Sequence, residues 1–280
     1  MRSSNPVFSR RGFSRDNSGY AGFDAQHQQA GAAATNPYAT NPYATDPQTG
    51  MPQAPVNSAT AMTIDDVVAR TATTLGLVVA TAIPAYLFLS KNFAVAIGAA
   101  VIAFVLAMVQ SFKSKPMPGV ILGYAAFEGV FLGAISGAVG NAFGFGAIMQ
   151  AVLGTAAVFG GVLFAYKMRW IRVNRRFIGF VMAAAVGFLL LSLVNMVAAL
   201  IGGGDGLGLR GNGPMGILFG VAGVIIGAFF LALDFKQVED GITYGAPKAE
   251  AWLAAFGLTL TLVWIYTEML RLVAIFSGDD

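Results

Sequence analysis

The chain has 280 residues, 56% of them hydrophobic and 11% charged, with a mean hydropathy of +0.67; a soluble globular domain carries about 25% charged residues. So large a shortfall means that lipid replaces water around most of the chain. Cysteine is absent and the only histidine, His27, stands in a polar segment, which excludes disulfides, thiol catalysis, Cys-held zinc and any Ser-His-Asp triad or histidine metal site within an apolar run.

Residues Met1–Ala61 are rich in Ser, Asn, Gln, Ala, Gly and Pro and nearly free of branched aliphatics. Such a segment buries too little apolar surface to offset its ordering entropy, so a disordered tail is expected. It holds a tandem repeat, NPYATNPYATDP, from Asn36 to Pro47. Asn-Pro-Tyr favours turns and extended chain; the segment reads as a tether, or as a docking segment built around Tyr38 and Tyr43. It has no apolar core of the kind a secretory signal needs.

The membrane domain is expected over 62–280. Thr63-Ile-Asp65-Asp66 looks like an N-cap followed by acidic first-turn residues. Seven apolar runs follow: Thr71–Leu89, Phe93–Phe112, Gly119–Val139, Gly146–Tyr166, Phe177–Ile201, Pro214–Leu233 and Trp252–Phe276. Each approaches the roughly 20 residues that cross about 30 Å of hydrocarbon as helix. A closed barrel would instead need period-2 strands of about ten residues. The fold class is therefore all-α, with seven transmembrane helices. Pro84 should bend the first of them.

Lys and Arg set the orientation. The tail and the first span's approach hold Arg2, Arg10, Arg11, Arg15 and Arg70; the second-to-third loop Lys113 and Lys115; the fourth-to-fifth Lys167, Arg169, Arg172, Arg175 and Arg176; the sixth-to-seventh Lys236 and Lys248. The alternate loops hold Lys91, nothing, and Arg210. This asymmetry predicts a cytoplasmic N-terminus, an external C-terminus, an odd number of spans and a cell-membrane location. The net charge of +3 thus orients the chain in lipid, and no nucleic acid is expected as a partner. Glycines at four-residue spacing, Gly129, Gly133 and Gly137 in the third span, and at three- or four-residue spacing, Gly216, Gly220, Gly223 and Gly227 in the sixth, predict close helix packing.

An ionisable group within the bilayer is a functional candidate by default. Glu128 lies about 14 Å into the third span at 1.5 Å per residue, with no basic residue at comparable depth. Asp234 follows the apolar stretch Ile225–Leu233 and reads as the end of the sixth helix, hydrated or paired with Lys236. Glu268 stands in the outer half of the seventh, one turn before Arg271, its expected charge partner.

The sequence resembles the Bax inhibitor-1 family over about Ile64–Asp280. The likeness rests on Tyr124-Ala-Ala-Phe-Glu128-Gly129-Val-Phe-Leu-Gly133, on Leu233-Asp234-Phe-Lys-Gln237, on Ala254-Ala255-Phe256-Gly257-Leu258, and on Leu270-Arg271 with the acidic end Ser-Gly-Asp279-Asp280. It implies a central seventh helix wrapped by two groups of three. It also implies the activity of bacterial members, a pH-sensitive calcium leak gated by two aspartates, one closing the sixth helix and one in the middle of the seventh. Asp234 matches the first. The family's Ala-Ala-x-x-Leu-x-Leu-Asp pattern, laid on Ala254–Thr261, puts Thr261 at the second. Glu268, two turns further out, shares the face of Thr261. Glu128, at a similar depth to Thr261, is the inferred replacement, giving an Asp234–Glu128 pair that could also hold a cation transiently. Two carboxyls at hydrogen-bond distance in low dielectric share a proton and hold their helices together; deprotonation makes them repel and offers hard oxygen ligands to a divalent cation.

Gly202-Gly203-Gly204-Asp205 satisfies the Gly-x-Gly-Asp pattern of intramembrane aspartyl proteases, but its Gly-rich flanks up to Gly211 read as a flexible outer turn. The expected function is a cation-permeable, pH-gated membrane protein with no enzymatic activity and no cofactor. Its expected partners are the bilayer, calcium or other cations, and other membrane proteins. The rivals are a non-conducting regulator that binds other membrane proteins and a proton-coupled transporter.

Overall fold

A computed structural model of the protein describes residues 61–278, apart from 91 and 205. The tail to residue 60, with its repeat and His27, lies outside the described residues, as does Asp205 of the Gly-x-Gly-Asp match. The described chain is helical: α1 (Ile64–Leu89), α2 (Phe93–Phe112), α3 (Pro118–Phe143), α4 (Phe145–Lys167), α5 (Arg175–Gly202), α6 (Pro214–Thr243) and α7 (Ala251–Gly278), with a 3₁₀ turn, Lys248–Glu250, before α7. All seven are long and apolar enough to cross a membrane. Large apolar side chains such as Leu87, Phe104, Leu153, Leu190 and Leu218 stand exposed on their outer faces. Such a surface suits lipid, not water. The chain is a multi-spanning membrane protein.

α1 and α6 outrun their apolar runs furthest. α1 starts at Ile64 rather than Thr71 because Thr63 and Asp66 form a capping box: the Asp66 amide donates to Thr63 Oγ1 (3.2 Å) and the Thr63 amide to Asp66 Oδ2 (3.3 Å). α6 continues nine residues beyond Asp234, to Thr243, carried by the i,i+4 pair Lys236–Asp240 (2.7 Å). Asp234 therefore lies inside α6, not at its end. Pro84 sits within α1, which runs on past it to Leu89.

α7 is the centre. It packs against α1, α3, α4 and α6, while α2 leans on α3 and α5 on α6. The glycine stripes explain how backbones come so close. A Cβ at Gly129 would overlap the Val78 carbonyl and one at Gly133 the Ala82 carbonyl, both on α1, and one at Gly137 would meet Ser90, its C-cap. On α6 a Cβ at Gly227 would stand 2.6 Å from Ile265 of α7, and one at Gly220 2.6 Å from Arg271. Both stripes are contact faces, as their spacing predicts.

The α6–α7 turn is tied to the start of α1. The Met62 amide donates to the Ala246 carbonyl (2.8 Å). Asp66 pairs with Lys248 (2.9 Å), Arg70 donates to the Lys248 carbonyl, and Arg70 lies 5.5 Å over the Trp252 ring. Met62 itself is buried in the cluster that includes Val67, Leu231, Val238, Ala254 and Leu258.

Candidate functional site in the α6–α7 seam

Asp234 and Thr261 meet in the seam between α6 and α7. Thr261 Oγ1 donates to Asp234 Oδ2 at 2.6 Å. Gly257, one turn before Thr261, makes room: a Cβ there would lie 3.2 Å from Asp234 Oδ1. Lys236 is turned away from Asp234, toward Asp240 (2.7 Å) and Glu239 (3.9 Å). Among the described residues no basic group pairs with Asp234. One turn beyond Thr261, Ile265 is fully buried against Gly227 and seals the seam with hydrocarbon.

The next turn of α7 carries Glu268, 4% exposed. Arg271 donates to its Oε2 from Nε (3.1 Å) and Nη2 (2.9 Å), and to the Gly216 carbonyl from Nη1 (3.2 Å). The pairing expected from the i,i+3 spacing is thus present, and Glu268 has a second partner. Arg210, from the α5–α6 loop, donates to Oε1 at 3.2 Å. The sequence signal for Arg210 was that it is the only basic residue of its loop.

Glu128 is buried elsewhere. On its stripe of α3, Tyr124 meets Phe256 edge-to-face at 5.3 Å, and Ser136 shares a hydrogen bond of 2.7 Å with Tyr266. These contacts put Glu128 against the α1/α3 side of α7, where Thr259 and Thr74 share a buried hydrogen bond of 2.8 Å. Thr259 and Thr261 are two residues apart and so about 160° apart around the helix. Glu128 and Asp234 consequently face opposite sides of α7, and the Asp234–Glu128 pair inferred from depth is not formed. Glu128 has no hydrogen-bond partner among the described residues, and no group of three or more carboxylate or imidazole side chains there could hold a metal ion.

The profile described as Bax inhibitor 1 like matches residues 5–278. The chain belongs to the Bax inhibitor 1-like family. The match begins within the tail, earlier than the Ile64 start read from the motifs. No curated protein matches the chain. At Thr261, where the resemblance implied a second acid, the hydroxyl bonds Asp234 directly.

Proposed function

We propose that this protein is a pH-sensitive cation conductance of the Bax inhibitor-1 type, with calcium its ion, rather than an enzyme. The observation that carries the reading is the 2.6 Å bond between Asp234 and Thr261, a carboxyl without a basic partner held between the central helix and a neighbour. An intramembrane acid of that kind marks an ion or proton path. Protonated, Asp234 is a neutral hydrogen-bonding group that suits a closed seam. Ionised, it draws water and cations toward the seam and offers oxygen ligands to a hard cation. Thr261 limits the response, because a hydroxyl does not repel a carboxylate as a second acid would. The Lys and Arg distribution supports an orientation with the N-terminus and the three basic loops in the cytoplasm and Asp234 toward that side.

The experiment is calcium flux into liposomes containing only the purified protein, measured across pH. Flux that rises on alkalinisation and is flattened by Asp234→Asn supports the reading. Proton-driven solute uptake would make it a transporter. No flux at any pH would leave a non-conducting regulator of other membrane proteins.

A further inference from the structure

The same seam carries, two turns from Thr261, a built charge cluster with an odd stoichiometry: one buried carboxylate and two guanidinium groups. Their accessibilities differ. The side chain of Glu268 is 6% exposed, that of Arg271 17%, and that of Arg210 47%. Arg271 already satisfies Glu268 Oε2 by two hydrogen bonds from the same helix. Arg210 is an addition, brought from another element onto Oε1.

The loop that delivers Arg210 is shaped for the task. Asn195 of α5, 4% exposed, accepts at Oδ1 from the amides of Leu207 (2.9 Å) and Leu209 (3.2 Å), which fixes the backbone just before Arg210. Gly206 and Gly208 take φ of +65° and +76°, a region open to glycine at little cost. A Cβ at Gly206 would stand 3.0 Å from the Ala199 amide nitrogen, so the loop folds back tightly on α5. A buried asparagine committed to two loop amides is a large investment for a connection whose tip, were it mere linker, needs no fixed place.

We propose that Glu268 Oε1 is a cation-binding site at the outer end of the α6–α7 seam, and that Arg210 is a tethered cation that occupies it and holds the seam shut. This deepens the conductance reading, since the seam is then closed by Thr261–Asp234, by Ile265, and by Arg210 outermost. With Arg210 in place the cluster is net positive and blocks the exit both sterically and electrostatically. With Arg210 displaced, Glu268 and Arg271 form a neutral pair with one carboxylate oxygen open to a cation from outside.

The lack of native cysteine allows a test that does not need conduction. Leu272, 7% exposed, packs in the seam where a Cβ on Gly220 would stand 2.7 Å from its Cδ2. Leu272→Cys is labelled with a polar thiol reagent in detergent, with Arg210 intact and with Arg210→Ala. Labelling should become several-fold faster in the alanine variant, and millimolar guanidinium, which fits the vacated place, should slow it again. Glu268→Gln added to Arg210→Ala should abolish the guanidinium effect. Arg210→Lys, which keeps the charge, should stay slow. Equal labelling with and without Arg210, or slowing by guanidinium that survives Glu268→Gln, overturns the proposal. In liposomes that conduct, Arg210→Ala should raise flux and guanidinium should lower it; labelling that behaves as stated while no variant conducts would sink the conductance and leave the site.

Discussion

Threonine at 261 is what sets this seam apart from a two-acid gate. Its hydroxyl can donate to Asp234 whether or not the carboxyl is ionised, so the 2.6 Å bond is a latch with limited sensitivity to pH. Replacing Thr261 by Asp puts a second carboxyl on Asp234. The two must then share a proton to stay together, and ionising both drives α6 from α7. Flux from Thr261→Asp liposomes should therefore climb more steeply on alkalinisation than flux from the parent, while Thr261→Val should weaken the latch and raise flux at acid pH. A Thr261→Asp profile that overlays the parent's would show that this hydrogen bond does not gate. Glu268 differs in kind. Removing Arg271 leaves a buried carboxylate with only a half-exposed partner, which is expected to cost about 3–5 kcal/mol. Arg210→Ala retains Arg271 and should leave thermal stability in detergent much closer to the parent's.

At the scale of helices, the glycine stripes turn sequence spacing into architecture. Gly133 rests against the Ala82 carbonyl with no room for a Cβ, so even Gly133→Ala must push α3 off α1, at about 1–3 kcal/mol. Gly98, with nothing within 4 Å of its Cβ position, should accept Ala without loss; equal melting temperatures for the two variants would contradict the contact. These stripes, the seven helices and the i,i+3 pair at Glu268 were legible in the sequence because each is a local periodicity. The misreadings were of another kind. Falling hydropathy ends the sixth apolar run before Asp234, whereas the last nine residues of α6 are held by Lys236–Asp240 pairing and by packing of Val238 in the core. Sequence spacing does not reveal the partner of Asp234, because depth along a helix can be counted from sequence while the face of α7 that each neighbour takes is fixed by how three helices pack. Arg210 reaches Glu268 from 58 residues away, through a loop whose path depends on Asn195, and no spacing rule reveals that contact.

Across the whole molecule, the boundary between tail and membrane domain has a structural marker. Residues Met1–Ala61 read as a tether, but Met62 fills a place over Gly241, where a Cβ would come 2.5 Å from its Cε, and its amide is paired with Ala246. Thr63 caps α1 and Asp66 holds Lys248. These residues clasp the start of α1 to the α6–α7 turn, at the same end of the bundle as Asp234. Removing residues 1–60 should thus leave a monodisperse protein in detergent, with melting temperature and any flux near the parent's. Removing 1–66 takes away the wedge, the cap and the ion pair together. Met62→Ala alone is expected to cost about 2–5 kcal/mol, the range for emptying a buried large side chain, and the longer deletion more. If both truncations melt together, the clasp contributes nothing and the tail boundary has no structural meaning. If the shorter one already fails to insert, the tail belongs to the folded unit, which the family match from residue 5 would then explain better than its composition does.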